Sequence, residues 1–186
     1  MSALMQWTRS QALVIDIQDK LLPAMSGAQD ALANSVRLVQ AAARLNVPIT
    51  VSQQYPKGIG ATVDELRQHL PETSVTLDKM AFSCMNDDAL RKRIEQLAAD
   101  GREQVVVWGI EAHVCVLQTA LEIVGAGLQC FVVADAVASR SPASKKLALA
   151  RMQAAGVSVV SAEMAIFEWL GVAGTPDFKA LMPLVK

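Results

Sequence analysis

The sequence has few aromatic residues, no large excess of either charge and no long apolar run. Its formal net charge is −1 at pH 7 and its pI is near 6.1. It therefore lacks the basic surface typical of proteins that bind nucleic acid or an anionic membrane. No apolar run approaches the roughly 20 residues that a membrane-spanning helix needs. We expect neither nucleic acid nor a membrane to be a partner.

Cysteine is also scarce. The three cysteines are an odd number and lie far apart at Cys84, Cys115 and Cys130. Such spacing does not predict a disulfide framework and is typical of a reducing compartment. Residues 1–10 have no basic segment followed by an apolar core, so we expect no secretory signal there. These features together predict a cytoplasmic protein.

Apolar residues make up 52% of the chain and charged residues 19%, which excludes a disordered chain. The length suffices for one substantial core, and no linker or repeat divides the sequence. We therefore predict a single domain over residues 1–186.

Short apolar runs alternate with helix-length amphipathic segments along this chain. We predict strands at 12–16, 47–52, 74–77, 104–108, 128–134 and 157–160. We predict helices at 28–45, 87–99, 116–124, 143–155 and 162–170, and a turn-rich loop at 55–60. This alternation predicts βαβ units, and strands that are apolar throughout indicate a parallel sheet covered on both faces. The predicted fold is a three-layer α/β/α structure with a six-stranded, mainly parallel, doubly wound sheet.

Three reactive side chains follow three of the predicted strands: Asp16, Lys79 and Cys115. The carboxyl ends of parallel strands meet at one edge of a sheet, where ligands bind. Cys115 also lies near a helix N-terminus, whose free N–H groups and dipole favour a thiolate. This combination supports acyl transfer, with Cys115 as nucleophile, Asp16 as general base and Lys79 holding the carboxylate. Backbone N–H groups at the helix start would receive the oxyanion.

Each of these residues also has an ordinary structural interpretation. A single cysteine is usually a core residue, and we interpret Cys130 in this way. Lys79 by itself would be a solvated charge. Asp135 also ends a predicted strand, and we interpret it as structural. His113 is too close in sequence to Cys115 to face it on a tight turn, so we assign it a substrate-contact or structural role.

Three segments in the right order resemble the isochorismatase-like hydrolases, also called cysteine hydrolases. They are Val-Ile-Asp-Ile-Gln at 14–18, Leu-Asp-Lys-Met-Ala-Phe-Ser at 77–83 and Gly-Ile-Glu-Ala-His-Val-Cys-Val at 109–116. The resemblance implies a six-stranded parallel sheet and an Asp–Lys–Cys triad formed by Asp16, Lys79 and Cys115.

The same resemblance implies a cis peptide bond between Ile110 and Glu111. The oxyanion hole would then consist of the backbone N–H groups of Glu111 and Cys115. Family members commonly form homo-oligomers, and the apolar segment 165–170 needs cover. We therefore expect a homo-oligomer, although packing within one chain could also cover this segment.

Two departures from relatives narrow the expected chemistry. Nicotinamidases of this family carry an Asp-x-His metal motif after the second strand, where this chain has Gln-Gln-Tyr-Pro at 53–56. We therefore expect no metal site and no cofactor. Isochorismatases cleave a vinyl ether without needing a nucleophilic cysteine, whereas Cys115 is present here. The sequences at 54–58 and 109–115 are most similar to those of the isochorismatase domain-containing branch.

Five residues flank the predicted strand ends and are predicted to contact substrate: Gln18, Gln53, Tyr55, Phe82 and His113. This set contains no arginine, the usual partner of a carboxylate or phosphate, so it favours a small neutral substrate. Arg140 or a neighbouring subunit could still supply a cation.

The sequence thus predicts a metal-independent cysteine hydrolase that cleaves a small amide or related acyl bond. Two alternatives remain open. One is vinyl ether hydrolysis with Asp16 as proton donor, and the other is a non-catalytic thiol sensor or scaffold.

Overall fold

The computed structural model describes residues 4–185. Its six strands form one sheet in the order β3-β2-β1-β4-β5-β6. The strands are β1 Ser10–Ile15, β2 Ile49–Gln54, β3 Val75–Lys79, β4 Gln104–Ile110, β5 Gln129–Ala138 and β6 Ser158–Val160. Every neighbouring pair is parallel.

Helices connect these strands. They are α1 Ala28–Arg44, α2 Pro56–Ile59, α3 Asp64–Arg67, α4 Asp88–Ala99, α5 Leu117–Gly125, α6 Pro142–Ala154, α7 Ala162–Leu170 and α8 Pro176–Val185. A π-helical turn, Ala112–Val116, leads directly into α5. The side chain of Asp87 caps α4 by accepting hydrogen bonds from the N–H groups of Ala89 and Leu90.

The helices form two layers on opposite faces of the sheet. Helix α1 packs against α7, α8 and β5, while α5 packs against α6 and β5. This division follows from right-handed crossovers, because the chain first adds strands on one side of β1 and then on the other. The predicted six-stranded parallel α/β fold is confirmed.

The strand order reverses between β1 and β4, which is the position where doubly wound sheets bind ligands. Ile15 is paired with Gly109 there. A Cβ atom on Gly109 would lie 2.0 Å from the carbonyl oxygen of Ile15, and the residue has a φ of 127°. Only glycine therefore fits where the two strands come this close.

Several strands extend further than the apolar pattern predicts. β2 ends at Gln54 and β3 at Lys79, since the pairing between these two strands continues into polar residues, and β4 ends at Ile110, which is paired with Ala138 of β5. The predicted loop after β2 begins with the single-turn helix α2. Asp135 lies inside β5, where its Oδ1 accepts a hydrogen bond from the N–H of Ala162.

The apolar segment at 165–170 is largely covered by the chain itself. Ile166 and Trp169 are buried, whereas Phe167 is 42% exposed. Within the described residues, no helix is both long enough and apolar enough to cross a membrane.

Candidate active site

Asp16 and Lys79 meet in the interior at the carboxyl edge of the sheet. Asp16 follows β1 with a φ of 53°, and Lys79 is the last residue of β3. The Lys79 Nζ donates to Asp16 Oδ2 at 2.7 Å, and neither side chain is exposed to solvent. The other carboxylate oxygen, Oδ1, accepts from Ser52 Oγ at 2.7 Å. Both oxygens of the carboxylate are thus held in place.

The Lys79 ammonium is fully engaged with protein acceptors. Besides Asp16, it donates to Gln54 Oε1 at 2.7 Å and to the carbonyl oxygen of Phe82 at 3.1 Å. Burial lowers the pKa of Lys79, but the charge of Asp16 and then that of Cys115 raise it more, so the net pKa is raised. An ammonium has three N–H donors, and all three are used here. Lys79 is therefore a fixed positive charge rather than a donor available to a ligand.

Cys115 lies in the π-helical turn after β4 and is only 6% exposed. The Asp16 carboxylate lies near enough for its charge to act on the thiol. Burial and then the charge of Asp16 raise the pKa of the thiol to about 12, while Lys79 acts in the opposite direction. Burial beside a carboxylate therefore opposes the effect that a helix start has on a thiol. The thiol needs a base as it reacts, and Asp16 is the neighbouring carboxylate.

A second thiol, Cys84, borders the same cluster. Cys84 is fully buried, and its backbone N–H donates to Thr119 Oγ1 at 2.9 Å. Burial raises its pKa to about 11. Cys84 is therefore a buried, neutral thiol beside the Asp16 cluster.

Two residues of the cluster, Ser52 and Gln54, were not identified from the sequence. Both lie on β2, where alternate side chains point to the same face. If the predicted strand had extended to Gln54, both side chains would have lain on the same face of β2, next to β1, which leads to Asp16. The predicted end of this strand at residue 52 concealed this pattern.

Two of the predicted substrate contacts, Gln18 and Gln53, hold the loops around the site. Gln18 Oε1 accepts from the N–H of Gln54 at 2.7 Å, and its Nε2 donates to the carbonyl oxygens of Gln54 and Gly60 at 3.0 and 2.6 Å. Gln53 Oε1 accepts from the N–H of Thr62 at 2.8 Å. Direct contact of either side chain with substrate stays a prediction.

The other three predicted contacts do not share one cavity. Tyr55 and Phe82 are 47% and 56% exposed. Tyr55 lines a cavity of about 520 Å³, called here the Tyr55 cavity, whose wall also includes Lys79 and Met80. His113 borders a separate cavity of about 220 Å³ beside α6, and its Nδ1 is 3.0 Å from Ser139 Oγ. Their roles in binding substrate stay predictions.

The peptide bond between Ile110 and Glu111 is cis, as the resemblance implies. The Glu111 carboxylate accepts from Arg140 Nε at 3.0 Å and from the Arg140 N–H at 3.2 Å. Arg140 is therefore tied to Glu111 rather than directed at Cys115. Donation by the N–H groups of Glu111 and Cys115 to an oxyanion stays a prediction.

Side chains of the metal-binding type do not cluster in the described part of the chain. No group of three or more histidine, cysteine, aspartate or glutamate residues within 4–185 is arranged to hold a metal ion.

Comparisons with known proteins identify relatives of this chain. Residues 10–164 match the isochorismatase domain. The chain is 33% identical over 173 residues to isochorismatase domain-containing protein 1 of Danio rerio, covering 92% of this chain and 59% of that protein. The chain thus spans well under two thirds of that relative.

Solved structures show the same fold. The MAR1 ribonuclease of Caenorhabditis elegans superposes with a TM-score of 0.91 at 35% identity, covering 98% of this chain and 92% of that one. YcaC of Escherichia coli, an octameric hydrolase of unknown specificity, superposes with a TM-score of 0.84 at 21% identity, covering 98% and 96%. By its domain match and its relatives, the chain belongs to the isochorismatase family.

Proposed function

We propose that the protein is a metal-independent cysteine hydrolase that cleaves a small amide, or a related acyl bond, through a thioester on Cys115. The observation that carries this proposal is that one buried carboxylate, Asp16, is paired with the Lys79 ammonium and lies near enough to the Cys115 thiol to raise its pKa. A neutral thiol beside a fixed base is arranged for proton transfer during attack.

The proposed reaction has two halves. The Cys115 sulfur bonds to the carbonyl carbon while its proton moves to Asp16, and the tetrahedral intermediate expels the amine, which takes that proton. Water then attacks the thioester and gives a proton to Asp16. The thiol leaves and recovers this proton, so one amide and one water become an acid and an amine. Lys79 holds the Asp16 carboxylate in place between the steps.

The oxyanion in each half would be received by the backbone N–H groups of Glu111 and Cys115, as the resemblance implies. Such donors act most strongly in a site from which water is excluded. The burial of Asp16, Lys79 and Cys115 supplies that environment.

The direct test is the loss of the thiol. Cys115→Ala and Cys115→Ser are expected to abolish hydrolysis across a panel of small neutral amides, measured as released amine. Cys130→Ala is the matched control, because Cys130 is another buried thiol, inside β5. Full activity of Cys115→Ala on a substrate of the unaltered enzyme would contradict this mechanism.

Three other activities are separated by the same variants. Isochorismate turnover that survives Cys115→Ala would indicate vinyl ether hydrolysis with Asp16 as proton donor. Thiol labelling without hydrolysis of any amide would indicate a sensor or scaffold. RNA cleavage should be assayed as well, because one similar structure is that of a ribonuclease. Lys79 is a poor phosphate contact, however, since its three donors are already used.

We further propose that the protein acts as a homo-oligomer in the cytoplasm. Three large apolar side chains on α6 and α7 are exposed: Leu147 at 73%, Met164 at 48% and Phe167 at 42%. Contact with a second copy would cover them. The described cysteines are free thiols, which a reducing compartment preserves. A monomeric mass by light scattering would contradict the oligomer.

A further inference from the structure

We propose that the Tyr55 cavity is the subsite for an apolar, non-anionic substituent of the substrate. The inference rests on the proposed function and deepens it, since it names the class of amide that the site would accept. The cavity of about 520 Å³ is of the size typical of small-molecule sites. Lys79, the residue that pairs with Asp16, is among its lining residues; because the Lys79 side chain is not exposed, the cavity lies beside the Asp16 cluster and is separated from it by that side chain.

Tyr55 forms the aromatic wall of this cavity, and its backbone is fixed in place. Tyr55 has a φ of 39°, a conformation that is rare for a bulky residue and concentrates at functional sites. Its N–H donates to the carbonyl oxygen of Lys79 at 3.0 Å, which links it to the end of β3. Its phenol ring lies on Gly58, where an added Cβ would be 2.2 Å from Tyr55 Cε1. Glycine at this position therefore makes room for the ring.

The remaining wall favours apolar groups. Met80 is 70% exposed, and Pro56 and Ala81 also line the cavity. A thioether and an aromatic ring left open to solvent offer contact to an alkyl or aryl group. Burying such a group there would gain hydrophobic free energy without any change in the catalytic cluster.

The charges around the cavity oppose an anion. Two carboxylates, Asp78 and Asp87, lie on its wall against one free cation, Lys57. The second ammonium, that of Lys79, is already paired with Asp16. The excess of negative charge would repel a carboxylate on the substrate and tolerate a neutral or cationic group.

The test is binding of three small amides measured by isothermal calorimetry: N-benzylacetamide, acetamide and N-acetylglycine. The protein is the full chain carrying Cys115→Ala, in which the proposed hydrolysis cannot occur. We expect N-benzylacetamide to bind about tenfold or more tightly than either other probe. Binding that survives loss of Cys115 separates this inference from the proposed chemistry, which the hydrolysis assay tests.

Gly58→Ala is the decisive variant, because its new Cβ displaces the Tyr55 ring without touching Asp16, Lys79 or Cys115. We expect it to weaken N-benzylacetamide binding about tenfold and to leave acetamide binding unchanged. Gly125→Ala is the matched control, since a Cβ there meets nothing within 4 Å. Met80→Ala alters only an exposed side chain and is expected to weaken the same probe if Gly58→Ala fails to fold. Unchanged N-benzylacetamide binding in both variants, or tighter binding of N-acetylglycine, would overturn the inference.

Discussion

The Lys79 ammonium lies 2.7 Å from the Asp16 carboxylate in a part of the protein that water does not reach. Desolvating two charges is costly, and a buried ion pair is often no more stabilising than apolar residues of the same volume. Here the pair also holds a carboxylate near enough to the Cys115 thiol to raise its pKa. The ion pair is therefore expected to contribute to the reaction more than to stability. Variants can separate these two contributions.

Removing the charge of Asp16 is expected to raise the reactivity of Cys115 while abolishing turnover. The Asp16 carboxylate, after burial, raises the pKa of the thiol to about 12, so Asp16→Asn lowers it. Alkylation by iodoacetamide at mildly alkaline pH, followed by intact mass, should become faster although hydrolysis is lost. Asp177→Asn, at an exposed ion pair with Arg44, is the control. Slower alkylation in Asp16→Asn would contradict this assignment.

Removing the cation is expected to destabilise the fold. Lys79→Met leaves Asp16 buried without its partner, which costs about 3–5 kcal/mol of unfolding free energy. The double variant Asp16→Asn with Lys79→Met removes both charges and should recover part of that loss. Urea unfolding measures both values. If the double variant is less stable than Lys79→Met alone, the coupling between the two residues is not as described.

Gln54 and Gln53 offer a matched pair on the two faces of β2. Gln54 accepts from Lys79 Nζ, whereas Gln53 accepts from Thr62 and donates to Asp78. Gln54→Leu leaves a charged donor unsatisfied, at a cost of about 1–3 kcal/mol. It should also alter the pH dependence of Cys115 alkylation, because the ammonium loses a fixed position. Gln53→Leu is expected to change stability alone; an altered alkylation profile in that variant would contradict the division.

The sequence was sufficient to predict the layers, the parallel sheet and the position of Cys115, because apolar runs and turn signals are local. It was insufficient for Ser52 and Gln54, since polar residues at a strand end resemble a loop until the neighbouring strand is known. The raised pKa of Cys115 also could not be predicted from the sequence. A helix N-terminus can be recognised along the chain, but burial beside Asp16 depends on three elements that meet only in the fold.

Alkaline pH is expected to destabilise the protein through its buried thiols. Burial raises the pKa of Cys84 to about 11 and that of Cys115 to about 12, and it raises the pKa of Cys130 as well. An unfolded thiol ionises at about pH 8.5–9, so above that pH the unfolded chain loses protons that the folded chain retains. Stability is therefore complete below the unfolded pKa and falls as pH rises toward the folded one. Lys79, whose pKa is also raised, acts in the same direction at higher pH.

Each such thiol removes about 1.4 kcal/mol of unfolding free energy per pH unit between its two pKa values. Urea unfolding between about pH 8 and pH 10 measures the slope. Cys130→Ala should give a shallower slope than the unaltered protein, because it removes one of the buried thiols. It leaves the Asp16 cluster unchanged. A stability that is constant over this range would show that the thiols are not buried as described.

The most direct test of the proposed mechanism is detection of the acyl group on the protein. The enzyme is mixed with a small neutral amide or ester substrate, quenched with acid during turnover and measured by intact mass spectrometry. We expect a mass increase equal to the acyl group, located on Cys115 by peptide mapping, removed by hydroxylamine and absent from Cys115→Ala. Product formation with no adduct on the unaltered protein, together with undiminished turnover by Cys115→Ala, would contradict the thioester mechanism.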